Sequence, residues 1–66
     1  MALTAGQRVT TGGGRLGVVA FDNSAVTNDT HPSCITLYAD GTYDEQPRAT
    51  LTNVSGGWIS GTGPGA

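Results

Sequence analysis

The sequence predicts an all-β chain, and three observations carry that reading. No stretch of ten or more residues repeats its apolar positions at the 3.6-residue period of a helix. Short segments such as "RLGVVAFD" and "CITLYA" instead carry β-branched and aromatic residues in alternation. Between them lie turn formers: glycine accounts for 11 of the 66 residues, and Gly12-Gly13-Gly14 and Asp40-Gly41 interrupt the apolar pattern at short intervals.

Taken in order, the first strand runs from about Arg8 to Thr11 and ends at Gly12-Gly13-Gly14, which can adopt the positive φ of a tight turn. The second spans Arg15 to Asp22 and sets Leu16, Val18 and Ala20 against Val19 and Phe21. Apolar groups on both faces predict a central strand, bent where Gly17 omits a side chain. Residues 23–33, "NSAVTNDTHPS", are polar and too long for a tight hairpin, so they form a surface loop of the kind that often binds partners. Asn28 and His31 are its candidate contacts. Pro32 keeps His31 out of helical angles as the chain enters "CITLYA", with Ile35 and Leu37 on one face and Cys34, Thr36 and Tyr38 on the other. Asp40-Gly41 predicts a two-residue type I′ hairpin that pairs residues 35–39 with 42–46. Pro47 closes that strand, and "RATLTNV" supplies a fifth, with Leu51 and Val54 as core candidates.

Five short strands with one long early loop and one tight late hairpin predict a small curled barrel over residues 1–54, followed by a glycine-rich arm over 55–66. The opening "GQRVTTGGGRLGVV" resembles SH3-like barrels of the KOW and Tudor-like type in Gly6, Val9, Gly14, Gly17 and Val19. "ITLYADGTYDEQPRATLTNV" is similar to the way many such barrels finish: a strand, an Asp-Gly turn, a strand and a short last segment. The resemblance covers residues 6–54 and implies a five-stranded SH3-like barrel. The basic residues that often flank the KOW turn in ribosome-associated members are missing apart from Arg8 and Arg15, which puts RNA binding in doubt.

Size and charge narrow the function. A 66-residue chain buries only about 60% of its unfolded surface, so its stability is marginal or borrowed. The single cysteine, Cys34, cannot close a bridge within the chain, and one histidine is too few for a structural zinc site. Association with neighbours is the reinforcement left. Three arginines, no lysine and five acidic residues give a net charge of −2. Three phosphate contacts fall short of the roughly 6 to 10 common among DNA binders, which argues against nucleic acid. No apolar run is long enough to span a membrane, and "MALTAGQRVTT" lacks the basic start and apolar segment of a signal peptide, so the expectation is a chain made in a cytoplasm. On that expectation the two glycosylation patterns, at Asn28 and Asn53, carry no weight.

No catalytic constellation emerges. Gly12-x-Gly14-x-x-Gly17 matches the dinucleotide fingerprint in letters, but β-forming "VVAF" follows where a helix must begin. His31 and Cys34, with Asp29 nearby, read as a loop histidine and a small buried hydrophobe. Asp44 and Glu45 are neighbours on a strand, point to opposite faces, and read as a solvated edge that discourages aggregation. "CITLYADG" bears a faint likeness to type II dihydrofolate reductases, tetramers of SH3-like barrels around a shared pore. Leu37 and Tyr38 would take the family's Ile and Tyr places, and Thr36 stands where its glutamine belongs, without that amide's paired contacts. The expectation is a protein that is not an enzyme, with no cofactor and no metal.

Trp58, the only tryptophan, lies in "GGWISGTGPGA" after the regular pattern ends. Either the arm folds back and the indole plugs the barrel, or Trp58 and Ile59 anchor the chain to a neighbour as an interface hot spot. The surrounding glycines, whose ordering costs backbone entropy, favour the second. Trp58, Ile59, Tyr38, Asn28 and His31 are therefore the candidate partner-binding residues. Short, glycine-rich, lysine-free, weakly acidic chains with this pattern and an adhesive tail resemble bacteriophage accessory proteins that decorate capsids or complete heads. That resemblance implies a virion location and, as partners, the major capsid protein, other virion subunits or further copies of the chain. The rival is a KOW-like nucleic-acid or ribosome-binding module acting through Arg8, Arg15, Tyr38 and Arg48.

Overall fold

The computed structural model describes residues 3–62. It is all-β: β1 (Arg8–Thr10), β2 (Leu16–Asp22), β3 (Pro32–Leu37), β4 (Tyr43–Pro47) and β5 (Thr52–Asn53), with one 3₁₀ turn at Arg48–Thr50. The strands form a single antiparallel sheet in the order β4-β3-β2-β1-β5. Each strand of the meander pairs with the next, and β5 returns to pair with β1, leaving the sheet unclosed between β4 and β5.

Both hairpins use one turn design. Thr11 N–H donates to the Arg15 carbonyl and Gly14 N–H to that of Thr11; likewise Tyr38 N–H donates to Thr42 and Gly41 N–H to Tyr38. In each loop only the third residue is left-handed, Gly14 at φ 84° and Gly41 at φ 88°. Asp40 has no positive φ, so the predicted type I′ turn is replaced by a three-residue loop, a turn followed by a left-handed glycine. The reason is local. The Asp40 carboxylate accepts from the amide and hydroxyl of Thr42, which satisfies the loop without the left-handed strain that a non-glycine residue would bear.

The larger departure lies in β2. Val19 pairs with Thr36, yet Phe21 pairs with Ile35, because a bulge at Ala20 inserts one residue. A one-residue insertion exchanges the faces beyond it. Phe21 therefore leaves the face of Val19, where alternation alone would put it, and is 56% exposed, while Asp22 turns inward and is buried. The predicted fifth strand also shortens: Arg48 points inward, the chain coils through Arg48–Thr50, and only two residues pair with β1.

Register defines the two faces. Val9, Gly17, Val19, Cys34 and Thr36 share the inner one, with Asp44 and Gln46 beyond them on β4. Gly17 is required here: a Cβ would lie 2.8 Å from both the Leu37 carbonyl and the Thr36 methyl, and 3.0 Å from the Tyr38 ring. The buried apolar residues are Val9, Val18, Val19, Cys34 and Tyr38. Four of those five are valine or cysteine, so the core is built almost wholly from small side chains.

Candidate functional site

The outer face carries what the core lacks. Arg8, Val18, Leu37 and Tyr43 are successive register partners across four strands, and Phe21, Ile35 and Glu45 form a parallel row. Leu37 and Ile35 are half-buried, Phe21 is 56% exposed and Tyr43 is 71% exposed. Three of the chain's four aromatic side chains, Phe21, Tyr43 and Trp58, face solvent; only Tyr38 is inside.

Residues 54–62 cross the β1–β2 half of this face. Val54 N–H donates to the Arg8 carbonyl at 2.8 Å. The Arg8 guanidinium then holds the tail through Nε to the Gly57 carbonyl at 3.0 Å and Nη2 to the Trp58 carbonyl at 3.1 Å. Gly56, at φ 138°, takes a backbone conformation that L side chains rarely adopt, and its site faces the guanidinium. The Trp58 indole lies on Gly6, whose own Cβ would come within 2.8 Å of Nε1. Farther along, Gly61, at φ 94°, presses on the Ala39 carbonyl, and buried Thr62 turns back to the Ile59 carbonyl. The tail thus lies against its own sheet through Arg8 and Gly6, and Trp58 stays 37% exposed.

The candidate residues fall in three places. Trp58 and half-buried Ile59 stand together on the tail. Asn28 and His31 are exposed in the loop between β2 and β3. The Asn28 side-chain oxygen accepts from the amide and hydroxyl of Thr30, its carbonyl accepts from His31 N–H, and His31 Nδ1 lies 3.1 Å from the Pro32 carbonyl. Tyr38 is buried, with its hydroxyl donating to Asp44 Oδ1 at 2.6 Å. Burial first, then that carboxylate, push its pKa up to about 12. Phe21, Ile35, Leu37 and Tyr43 were not readable as one patch from sequence, because the bulge that brings Phe21 into register with Ile35 leaves no mark in residue type.

Every arginine has a partner in the chain. Arg48 is buried and forks onto Asp22, with Nε to Oδ2 at 2.7 Å and Nη2 to Oδ1 at 2.8 Å, while Nη1 reaches Asp29 at 3.1 Å and Nη2 also reaches the Asn23 carbonyl. The Arg48 fork, outweighing the desolvation of burial, holds the Asp22 carboxyl below its ordinary range, and Asp22 in turn raises the Arg48 guanidinium. Arg15 joins the two hairpin tips, bonding Asp40 at 2.8 Å and Thr42 at 3.0 Å, with its guanidinium carbon 3.6 Å from the centre of the Tyr38 ring. Arg8 holds the tail. Arg48 is buried, so a phosphate could meet it only by displacing its partners.

The remaining chemistry is sparse. Cys34 is fully buried with Sγ 3.7 Å from Ser33 Oγ, and burial pushes its thiol up from the ordinary value, away from a thiolate. Thr36 is fully buried and its hydroxyl has no partner. Gly12 to Gly17 form a hairpin tip and a strand. Among the described residues there is no cavity and no group of three metal-ligating side chains. No family model matches the chain, nor does any curated protein or solved structure.

Proposed function

We propose that this chain is a non-enzymatic structural module that docks onto a larger protein assembly through its outer face. One observation carries the reading: the core is made of small side chains, while Phe21, Tyr43 and Trp58 are left to solvent on one side of the sheet. Burying an aromatic or large aliphatic side chain is worth about 1.5–3 kcal/mol. A small domain that forgoes this for Phe21 and Tyr43, and in part for Trp58, has it available for a partner, and exposed apolar groups gathered on one face are the usual mark of an interaction surface. By type the chain resembles bacteriophage accessory subunits, and a capsid decoration or head-completion role in the virion is the assembly we propose. The strand order, with a meander closed by β5 on β1 and a 3₁₀ turn before β5, supports the SH3-like reading of the fold.

The rival, a KOW-like nucleic-acid module, is disfavoured by the engagement of Arg8, Arg15 and Arg48 and by the burial of Tyr38. The folate-reductase reading is disfavoured by Thr36, which is sealed in the core. The deciding experiment is co-sedimentation of the chain with particles from its native source across a salt series. Docking carried mainly by apolar contacts on the outer face weakens only slightly as salt rises, whereas nucleic-acid binding weakens steeply. Trp58→Ala and Phe21→Ser are expected to leave the sheet folded by circular dichroism and to abolish co-sedimentation. Variants that are folded and still co-sediment would refute the reading. If Trp58→Ala instead unfolds, the indole serves the core and the anchor role is lost.

A further inference from the structure

The geometry points to a more specific partner: the free edge of β4 takes an extended segment of another protein as a sixth strand, one that sets basic residues opposite Asp44 and Glu45 and an apolar residue opposite Tyr43. This rests on the docking reading and names the chemistry of one contact within it.

The edge is competent for pairing. β4 ends the sheet. Tyr38 donates to Thr42 and is therefore in a bonded pair with it, and bonded and non-bonded pairs alternate along an antiparallel ladder. The Leu37–Tyr43 and Ile35–Glu45 pairs are thus non-bonded, which turns the N–H and C=O groups of Tyr43 and Glu45 away from β3 and toward the open edge. An incoming strand meets two donors and two acceptors that have no partner among the described residues, at the spacing it needs.

Charge selects which strand. Three of the five acidic residues are ion-paired: Asp22 and Asp29 with Arg48, Asp40 with Arg15. Asp44 takes hydrogen bonds only from the neutral groups of Tyr38 and Gln46, and no cation among the described residues pairs with Glu45. The two carboxylates without an ion-pair partner among the described residues, Asp44 and Glu45, are therefore neighbours on the open edge. A second copy is disfavoured by the same feature, since β4 against β4 sets like charges across the ladder. A purely protective edge would be blunt on both faces. Here Tyr43 is 71% exposed and Leu37 and Ile35 lie one strand inside, so an apolar floor adjoins the acidic rim. That combination fits a strand carrying an apolar side chain next to two basic ones.

The test uses the full chain, isotope-labelled, and a short blocked synthetic peptide in which two lysines precede a valine within a run of threonines. Saturating peptide should slow hydrogen exchange at the Tyr43 and Glu45 amides by about tenfold or more, and affinity should fall as salt rises. Glu45→Lys should weaken the lysine peptide by about tenfold and favour a glutamate peptide instead, with the Trp58 emission unchanged as a check on folding. The proposal is overturned if those two amides stay unprotected, if the charge swap does not reverse the preference, or if they become protected on concentrating the chain without peptide, which would make the occupant a second copy. Trp58→Ala leaves the edge intact, so loss of particle docking in that variant with normal peptide binding tests the general reading separately.

Discussion

Two irregular segments lie against this sheet, each held by one arginine, and they are held differently. The loop between β2 and β3 is pinned by Arg48, whose guanidinium is buried between Asp22 and Asp29 and accompanied by the Ala49 amide bonding the Asp29 carbonyl at 2.9 Å. The tail is pinned by Arg8, which is only half-buried and bonds the neutral carbonyls of Gly57 and Trp58. A buried charge whose partner is removed is left unsolvated, so the first pin fails at high cost. A half-exposed arginine released from carbonyls is resolvated by water, so the second fails cheaply. The loop is thus part of the fold, whereas the tail is a strap that the fold wears on its docking side.

The largest expected effect breaks the first pin. Asp22→Ala strands the guanidinium of Arg48 and should cost about 3–5 kcal/mol, against a total stability of about 3–10 kcal/mol for a chain of this size. The variant should be largely unfolded by circular dichroism, and replacing both partners with Asp22→Leu and Arg48→Met should recover much of the loss. A melt of the single variant within a few degrees of the parent's would mean that the pin holds nothing.

Next come the two ends of the strap. Gly61→Ala drives a Cβ into the Ala39 carbonyl at a left-handed φ, which should cost about 1–3 kcal/mol and lift the end of the tail. Arg8→Ala should cost about 1–2 kcal/mol and leave the sheet intact. In both, Trp58 emission should shift to the red as the indole leaves Gly6. An unshifted spectrum would show that the tail needs neither hold.

Acid gives the smallest and sharpest contrast. The folded Asp22 carboxyl titrates below its ordinary value of 3.8. Its contribution is therefore present above that value and is lost as pH falls through the lower, folded one. Amide protection in residues 23–31 should fall in that acid window, while the local opening that exposes amides in residues 54–62 should not become easier there, because Arg8 bonds carbonyls that do not titrate.

Much of this fold was legible in the residues. Alternation located β2 and β3, Gly12-Gly13-Gly14 and Asp40-Gly41 marked the two hairpins and with them β1 and β4, and the chain's length already showed how small its core must be. Three features were not legible, for physical reasons. The bulge at Ala20 reverses Phe21 and Asp22, and nothing local distinguishes an inserted residue from the next step of a strand. The role of Arg48 depends on an aspartate 26 residues away turning inward because of that bulge. The resting place of the tail rests on Gly6, Gly56 and Gly61, glycines defined by what they leave room for. Of the candidate site, Trp58 and Ile59 were visible as an oddity of position; Phe21 and Tyr43 became part of one surface only once register was known.

The most direct measurement is hydroxyl-radical footprinting of the free chain and of the chain in particles from its native source. Phe21, Tyr43 and Trp58 should oxidise readily in the free chain and fall to background in the particle, while buried Tyr38 stays protected in both. Equal oxidation of the three exposed aromatics in the two states would contradict docking through the outer face.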